Sequence, residues 1–361
     1  MNKGGTLFFL ACQEARKKRT PRHEMESILA RIDAASIVRA LFCVRPRAAA
    51  LLVEYLSMPA DSEPPPALLS EVARGARTKL GRVAAAAEAS KADRHGGFKA
   101  VYFDGERVVS VTKPLRAHIA RQAILELLVQ CAMFDARLAV PAVHSALMRV
   151  CSTPVVGLYQ VVSHSERMKC TLAEYLASDE HAGLDERGKT NALVAMLCAV
   201  CRTLARLAAE FEIRHGDLKP DNIMRRDEPP SKRDPTRLWC LIDFGQVKST
   251  AAVGADLFFL LWWLVNVYKR GIPAALLRVL ERHLDVPESA VRGVLTPPAV
   301  AKRGVVSFAR PIARDGAIGE DAWSKQHGLT KTELYAVQRH VEVPALEPVR
   351  FVRAIRPLYS A

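Results

Sequence analysis

The pattern of apolar residues predicts a mixed α+β fold, with a helical section ahead of it and a divergent C-terminal section behind. Three observations carry that prediction. Phe98 to Lys113 reads as two short strands around Asp104-Gly105, a pair suited to a tight hairpin turn. A helical pattern from about His118 to Phe134 separates this hairpin from strand-like pieces at Leu147 to Val150 and Val155 to Val162. From Asn191 to Phe211 the apolar positions Leu193, Val194, Leu197, Val200, Cys201, Leu204, Leu207 and Ala208 recur at helical spacing.

Taken in chain order, residues 22 to 57 carry Ile28, Leu29, Ile32, Ile37 and Leu41, then Leu51, Leu52, Tyr55 and Leu56, which suits two amphipathic helices. Acid and proline crowd together at 59–66, and 67–90 reads as a further helix ending in an alanine-rich stretch. The character changes at His95-Gly96-Gly97-Phe98. In the hairpin that follows, Val101 and Phe103 share one strand face, and Val109 and Val111 share one face of the returning strand. Thr171 is placed to cap a short helix whose first turn holds Glu174. The charged insertion Pro229 to Pro235 precedes a strand, Leu238 to Ile242, that ends on Asp243. A second apolar helix begins near Asp256, and its run Leu257 to Val267 is too short to cross a bilayer. Beyond Pro287, prolines 298, 311, 344, 348 and 357 interrupt every pattern. The expected division is a helical N-terminal extension over 1–90, a strand-bearing part over 91–165, a mainly helical part over 166–290, and a divergent part over 291–361.

Composition narrows the setting more than the chemistry. Half of the residues are hydrophobic, which permits a substantial core. Lys plus Arg number 52 against 38 Asp plus Glu, a formal charge of +14, which favours anionic partners without choosing among them. No DNA-reading motif and no basic-aromatic repeat accompanies that charge. The eight cysteines lie mostly in apolar segments, so a reducing, intracellular compartment is expected, cytoplasmic or nuclear. Cys198 and Cys201 have CxxC spacing but sit in a helical run, and read as core. The apolar run Thr6 to Cys12 is too short for a membrane span and lacks a cleavage site before Arg16-Lys17-Lys18-Arg19.

Two segments carry chemistry: Arg214-His215-Gly216-Asp217-Leu218-Lys219-Pro220-Asp221-Asn222, and Leu241-Ile242-Asp243-Phe244-Gly245. Together they hold an acid to orient a hydroxyl, a cation for phosphate charge, and oxygen ligands for magnesium. The order H-x-D-x-K-x-x-N followed by D-F-G resembles the catalytic core of eukaryotic-type protein kinases. In short motifs it is similar to the mitotic-checkpoint kinases of the budding-uninhibited-by-benzimidazole type, and to viral serine/threonine kinases that also use His-Gly-Asp. A large DNA virus would suit the Ala/Arg-rich chain, so an infected host cell is one expected setting.

The resemblance implies a bilobal kinase-like fold over about residues 93–285, with ATP and magnesium as cofactors. It makes Asp217 the acid facing the acceptor hydroxyl, Lys219 a phosphate-neutralising cation, and Asn222 and Asp243 the metal ligands. His215, Gly245 and Asp256 become structural supports, with Gly245 giving freedom to the turn after the metal ligand. Lys113, at the end of Val109-Ser110-Val111-Thr112, resembles the strand lysine that holds nucleotide phosphates, and Glu126 is its ion-pair partner. Gly96 and Gly97 match the end of the glycine-rich nucleotide loop, while Arg94 and Lys99 stand where that loop's other glycines belong.

Two departures shape the expected function. Gly216 replaces the arginine that pairs with a phosphorylated activation segment, so that form of control is not expected. Asp256 follows Asp243 by only thirteen residues, with no Ala-Pro-Glu anchor between them. The expectation is ATP- and magnesium-dependent phosphoryl transfer to serine or threonine of a protein substrate by a trimmed kinase, with the N-terminal helices open to a protein partner. A kinase acting on a small molecule and a kinase-like interaction module are the alternatives.

Overall fold

The structure, a computed structural model, describes residues 32–42, 46–59, 62–75, 79–95, 99–151, 157–229, 235–249, 254–287, 305–308, 343 and 346–359. The chain divides into two compact units: Met1–Ala136 with Ala142–Arg167, and Arg137–Pro141 with Met168–Ala361.

The first unit holds helices α1 (Ala34–Phe42), α2 (Pro46–Ser57), α3 (Pro66–Gly75) and α4 (Lys79–Glu88), then strands β1 (Arg94–His95), β2 (Lys99–Asp104), β3 (Arg107–Thr112) and β4 (Leu115–Arg116). Helix α5 (Ala117–Asp135) and strands β5 (Val143–Val150) and β6 (Leu158–Glu166) complete it. The expected single helix over 67–90 is two helices, the first ending at Gly75. The strands form one antiparallel sheet in the order β1-β2-β3-β6, with β4 and β5 both pairing with β6. Asp104 pairs with Arg107 across the predicted turn, where Gly105 takes φ +61°. Strand β6 runs past Val162 to Glu166 because its polar residues still pair through the backbone, Ser165 with Val108 and His164 with Val109.

Alternation on β3 buries Val109 and Val111 against Leu80 and Ala84 of α4, with Leu147 and Val162 from β5 and β6. Each of these larger aliphatic side chains contributes about 1.5–3 kcal/mol by leaving water. Helix α5 buries Ala117, Ala120, Ile124 and Leu128, and also Arg121, which is only 6% exposed. The Arg121 guanidinium donates to the carbonyls of Met58, of Pro59 at 2.7 Å and of Ser62 at 3.4 Å, and lies 4.8 Å from the centre of the Tyr55 ring. The Tyr55 hydroxyl donates to Ala117 O at 3.2 Å, and Tyr159 donates to Glu63 Oε2 at 2.7 Å. The N-terminal section is thereby pinned to α5 and β6 by polar bonds as well as by packing.

The second unit begins with β7 (Cys170–Thr171), α6 (Leu172–Leu176), α7 (Asp179–Ala182) and the long α8 (Glu186–Phe211). The predicted cap on α6 is a full capping box: Thr171 Oγ1 accepts from Glu174 N at 3.1 Å, and the Glu174 carboxylate accepts from Thr171 N at 2.8 Å. Helix α8 is long and apolar enough to span a membrane by length and composition, yet its Leu193, Val194, Leu197, Val200, Leu204 and Leu207 are buried core. Cys201 is buried among them, and burial pushes its thiol pKa well up.

After α8 come β8 (Ile213–Arg214), β9 (Ile223–Arg225), β10 (Trp239–Leu241), β11 (Lys248–Ser249), α9 (Ala255–Asn266), α10 (Ala274–His283), β12 (Asp285–Pro287), β13 (Val305–Ser307) and α11 (Pro348–Ile355). Nearly every residue of α9 is buried, as its apolar run requires. Segment 137–141 is stitched into this unit: Leu241 N donates to Ala139 O at 2.9 Å and Arg226 to Val140 O at 3.0 Å. The expected α+β fold is therefore present, with the larger sheet in the first unit and the 26-residue helix α8 in the second.

The Arg121 arrangement generates a test. Arg121→Met keeps the aliphatic stem and leaves three carbonyls without their donor, so it should lower stability by about 2–3 kcal/mol. Urea denaturation and limited proteolysis near residues 58–63 would read this. An unchanged midpoint would show that the bonds are incidental.

Candidate functional site

Helix α8 delivers the chain into the polar loop. It ends on Glu212 in the left-handed conformation (φ 51°), which turns the backbone into β8. Strand β8 pairs with β11, Ile213 with Ser249 and Arg214 with Lys248, so the loop start lies beside the stretch that follows Asp243. Gly216 takes φ +79°, where a residue with a Cβ would be disfavoured by about 1–2 kcal/mol. This gives a backbone reason for glycine at the position where the resembling family has arginine.

One carboxylate holds the loop from behind. Asp256, 6% exposed in the first turn of α9, accepts from His215 N at 2.8 Å through Oδ2 and from Gly216 N at 2.9 Å through Oδ1. The fully buried His215 ring then spans two directions. Its Nδ1 accepts from Asp217 N at 3.3 Å, so Nε2 carries the proton and donates to Ile242 O at 2.8 Å. The Phe244 ring, buried completely, lies 5.2 Å from the His215 ring centre.

On the other side of the loop the polar groups converge. Lys219 Nζ lies 3.1 Å from Asp217 Oδ2. Asn222, on the 3-10 turn Pro220–Asn222, donates its Nδ2 to Asp217 O at 2.8 Å and to Asp217 Oδ2 at 3.2 Å. With Nδ2 engaged in this way, the side-chain oxygen of Asn222 is the atom left for a cation. Asp243 is joined to this cluster through the backbone. Ile223 pairs with Leu241, and Ile242 N donates to Asn222 O at 3.0 Å. Asp243 itself is left-handed, with φ 64° and ψ 65°. Gly245 sits within the 3-10 turn Phe244–Gln246 that follows it.

The structure therefore brings His215, Asp217, Lys219, Asn222 and Asp256 into one bonded network in the second unit, with Asp243 following Ile242, which bonds to Asn222 and His215. Lys113 and Glu126 belong to the first unit. Lys113 is exposed immediately after β3, whose last residue is fastened by bonds from Gln160 Nε2 to Thr112 O and from Val161 N to Thr112 Oγ1. Glu126 is half-buried in mid-α5. A Lys113–Glu126 salt bridge is not among the ion pairs of the described residues. Gly96 and Gly97 lie outside the described residues. The sequence analysis did not single out Phe244 as a support for the His215 ring, nor Val343 and Leu346, whose closeness to Gly254 leaves no local mark.

Among the described residues no group of three or more His, Cys, Asp or Glu side chains gathers as a metal site. A magnesium ion needs fewer, because it commonly takes one or two protein oxygens together with substrate phosphate and water. The Asp243 carboxylate and the Asn222 amide oxygen fit that pattern in donor type.

No family model matches the chain, and no curated protein sequence does. Three similar solved structures are a BubR1 kinase domain, a WaaP in complex with acyl carrier protein, and vaccinia related kinase 3. The first is 17% identical, with a TM-score of 0.35, over 75% of this chain and 84% of that one. The second is 18% identical, with a TM-score of 0.33, over 55% and 85%. The third is 14% identical, with a TM-score of 0.30, over 45% and 48%.

The shared carboxylate can be tested directly. Asp256→Asn replaces one acceptor oxygen with a donor facing a backbone N–H, so it should cost about 2–3 kcal/mol. Thermal melting together with faster hydrogen exchange at the His215 and Gly216 amides would show it. Parent-like melting and exchange would mean that the carboxylate is not the brace.

Proposed function

We propose that this chain is an ATP- and magnesium-dependent phosphotransferase of the protein-kinase type, acting on serine or threonine of a protein substrate. The observation that carries the reading is the state of Asp217. Its Oδ2 is held by both Lys219 and Asn222, on a loop whose backbone is fastened by Asp256 and His215. A carboxylate held in that way has its Oδ1 left to accept a hydrogen bond from an incoming hydroxyl.

In this reading the acceptor hydroxyl donates to Asp217 Oδ1, which orients the oxygen and takes its proton as the oxygen attacks the γ-phosphorus and the β–γ bridging oxygen leaves with ADP. Lys219, poised on Asp217 Oδ2, moves its charge toward the transferring phosphoryl oxygens. Asn222 keeps the carboxylate in place through Nδ2 and presents its oxygen to the metal together with Asp243. Bound magnesium supplies neutralisation of phosphate charge. Lys113 is assigned to the nucleotide phosphates. Little of this machinery is covalent chemistry, so its value lies in preset geometry.

The short run from Asp243 to Asp256 favours a second reading of the acceptor. Without an Ala-Pro-Glu anchor, the usual peptide platform is trimmed, which suits either a small alcohol as acceptor or a kinase-like module that signals without transfer.

Two tests separate these. Radiolabelled ATP with a broad set of proteins and small alcohols should place label on serine or threonine, and Asp217→Ala should lower the rate at least about a thousandfold without unfolding the chain. Label confined to a metabolite would move the assignment to a small-molecule kinase, and no transfer to any acceptor would leave the interaction module. Separately, Lys113→Met should weaken MgATP binding about tenfold or more in a calorimetric titration, the loss of one charge-assisted phosphate contact. Unchanged affinity in a folded mutant would remove Lys113 from the site.

A further inference from the structure

Gly254 stands two residues before Asp256 and precedes α9 in the left-handed conformation, φ +79°. A Cβ at this position would fall 2.4 Å from Val343 O, 3.0 Å from Leu346 Cβ and 3.1 Å from Leu346 C. Two of those three atoms are backbone, so the clash could not be relieved by turning a side chain. Glycine is required here twice over, by φ and by the closeness of a second stretch of chain.

That second stretch is itself well held. Val343 and Leu346 are buried and joined by a bond from Leu346 N to Val343 O at 2.8 Å. The next residue, Glu347, caps α11 by accepting from Val349 N at 3.0 Å and Arg350 N at 2.9 Å. Phe351 and Ile355 of α11 are fully buried, and the helix packs along α8. The C-terminal segment therefore touches both approaches to the polar loop: α8, which leads into it, and Gly254, which sets the start of the helix bearing Asp256. A cavity of about 170 Å³ opens beside this contact, lined in part by Ala208, Ile213, Leu257 and Leu346. Neighbours already bordering a void are poorly placed to close in when Leu346 is shortened.

We propose that Val343, Leu346 and α11 form the anchor that sets Asp256 against the loop, doing the work of the absent Ala-Pro-Glu element, and that Gly254 is a positioning residue for Asp217. The chain of contacts runs from Val343 and Leu346 to Gly254, through one turn of α9 to the Asp256 carboxylate, and from there to the amides of His215 and Gly216 and on to Asp217. The positioning role for Asp217 rests on the phosphotransferase reading. The anchoring of Asp256 does not.

The experiment uses full-length Gly254→Ala and Leu346→Ala beside the parent. Hydrogen exchange resolved to the His215 and Gly216 amides reads the anchor, and MgATP affinity and the kcat of phosphoryl transfer read its consequence. In Gly254→Ala those two amides should exchange about a hundredfold faster, as a local opening separate from global unfolding. Its kcat should fall about a hundredfold, the scale of an ångström-sized displacement, while MgATP affinity stays within about threefold. Leu346→Ala should show about a tenfold effect on both exchange and kcat, because removing the atoms beyond Cβ widens the cavity that Leu346 lines with Ala208, Ile213 and Leu257 and loosens the segment seated on Gly254. Parent-like exchange at both amides in Leu346→Ala and in folded Gly254→Ala would falsify the anchor, whatever the activity. Should Gly254→Ala not fold, Leu346→Ala decides alone. A parent chain that transfers no phosphate, with exchange responding as expected, overturns the phosphotransferase reading and leaves the anchor in place.

Discussion

Two backbone N–H groups converge on the buried carboxylate of Asp256, and the geometry of the polar loop depends on that convergence. A carboxylate at 6% exposure is costly unless its oxygens are engaged, and here each takes a charge-assisted bond at the start of a helix, where the dipole also favours negative charge. Each such bond is of the order of 1.5–3 kcal/mol. The bonds fix the backbone at His215 and Gly216, which fixes the His215 ring, which in turn reaches Ile242 O beside Asp243. Asn222 closes the circuit, bonded through its side chain to Asp217 and through its carbonyl to Ile242 N. Loss of any member loosens the others, because they share the same short stretch of backbone.

A different solution holds the first unit together. Arg121 is buried with its guanidinium bonded to backbone carbonyls and set against an aromatic face. The carbonyls of Met58, Pro59 and Ser62 offset part of the cost of desolvating the guanidinium. The arrangement therefore specifies one placement of the N-terminal helices on α5. Helix α5 also carries Glu126, so the segment ahead of the sheet and the candidate nucleotide residues share one mechanical element.

The trimmed connection after Asp243 changes what the second unit must do for itself. A longer segment would buttress the start of the next helix and present a surface to an acceptor. Here the C-terminal strand of contacts at Val343 and Leu346 lies on Gly254, so support for α9 comes from residues distant in sequence. Support and acceptor recognition need not be built from the same residues, which is why an intact bonded network at Asp217 is compatible with an unusual acceptor.

Sequence alone determined the elements whose signal is local. The period along α8, the capping pair Thr171 and Glu174, the Asp104-Gly105 turn and the inward valines of β3 are all written in spacings of a few residues, where backbone geometry dictates which side chains share a face. The loop motif was legible for the same reason, and its spacing brought out Asp217, Lys219, Asn222 and Asp243 together. Only the tertiary structure decided the rest. The burial of Arg121 among the carbonyls of Met58, Pro59 and Ser62 depends on a stretch 59 to 63 residues away. The left-handed backbone at Asp243 and the closeness of Gly254 to Val343 likewise have no local mark. Each depends on which distant surfaces meet, and that is set by packing and register over the whole unit, not by the propensity of any short segment.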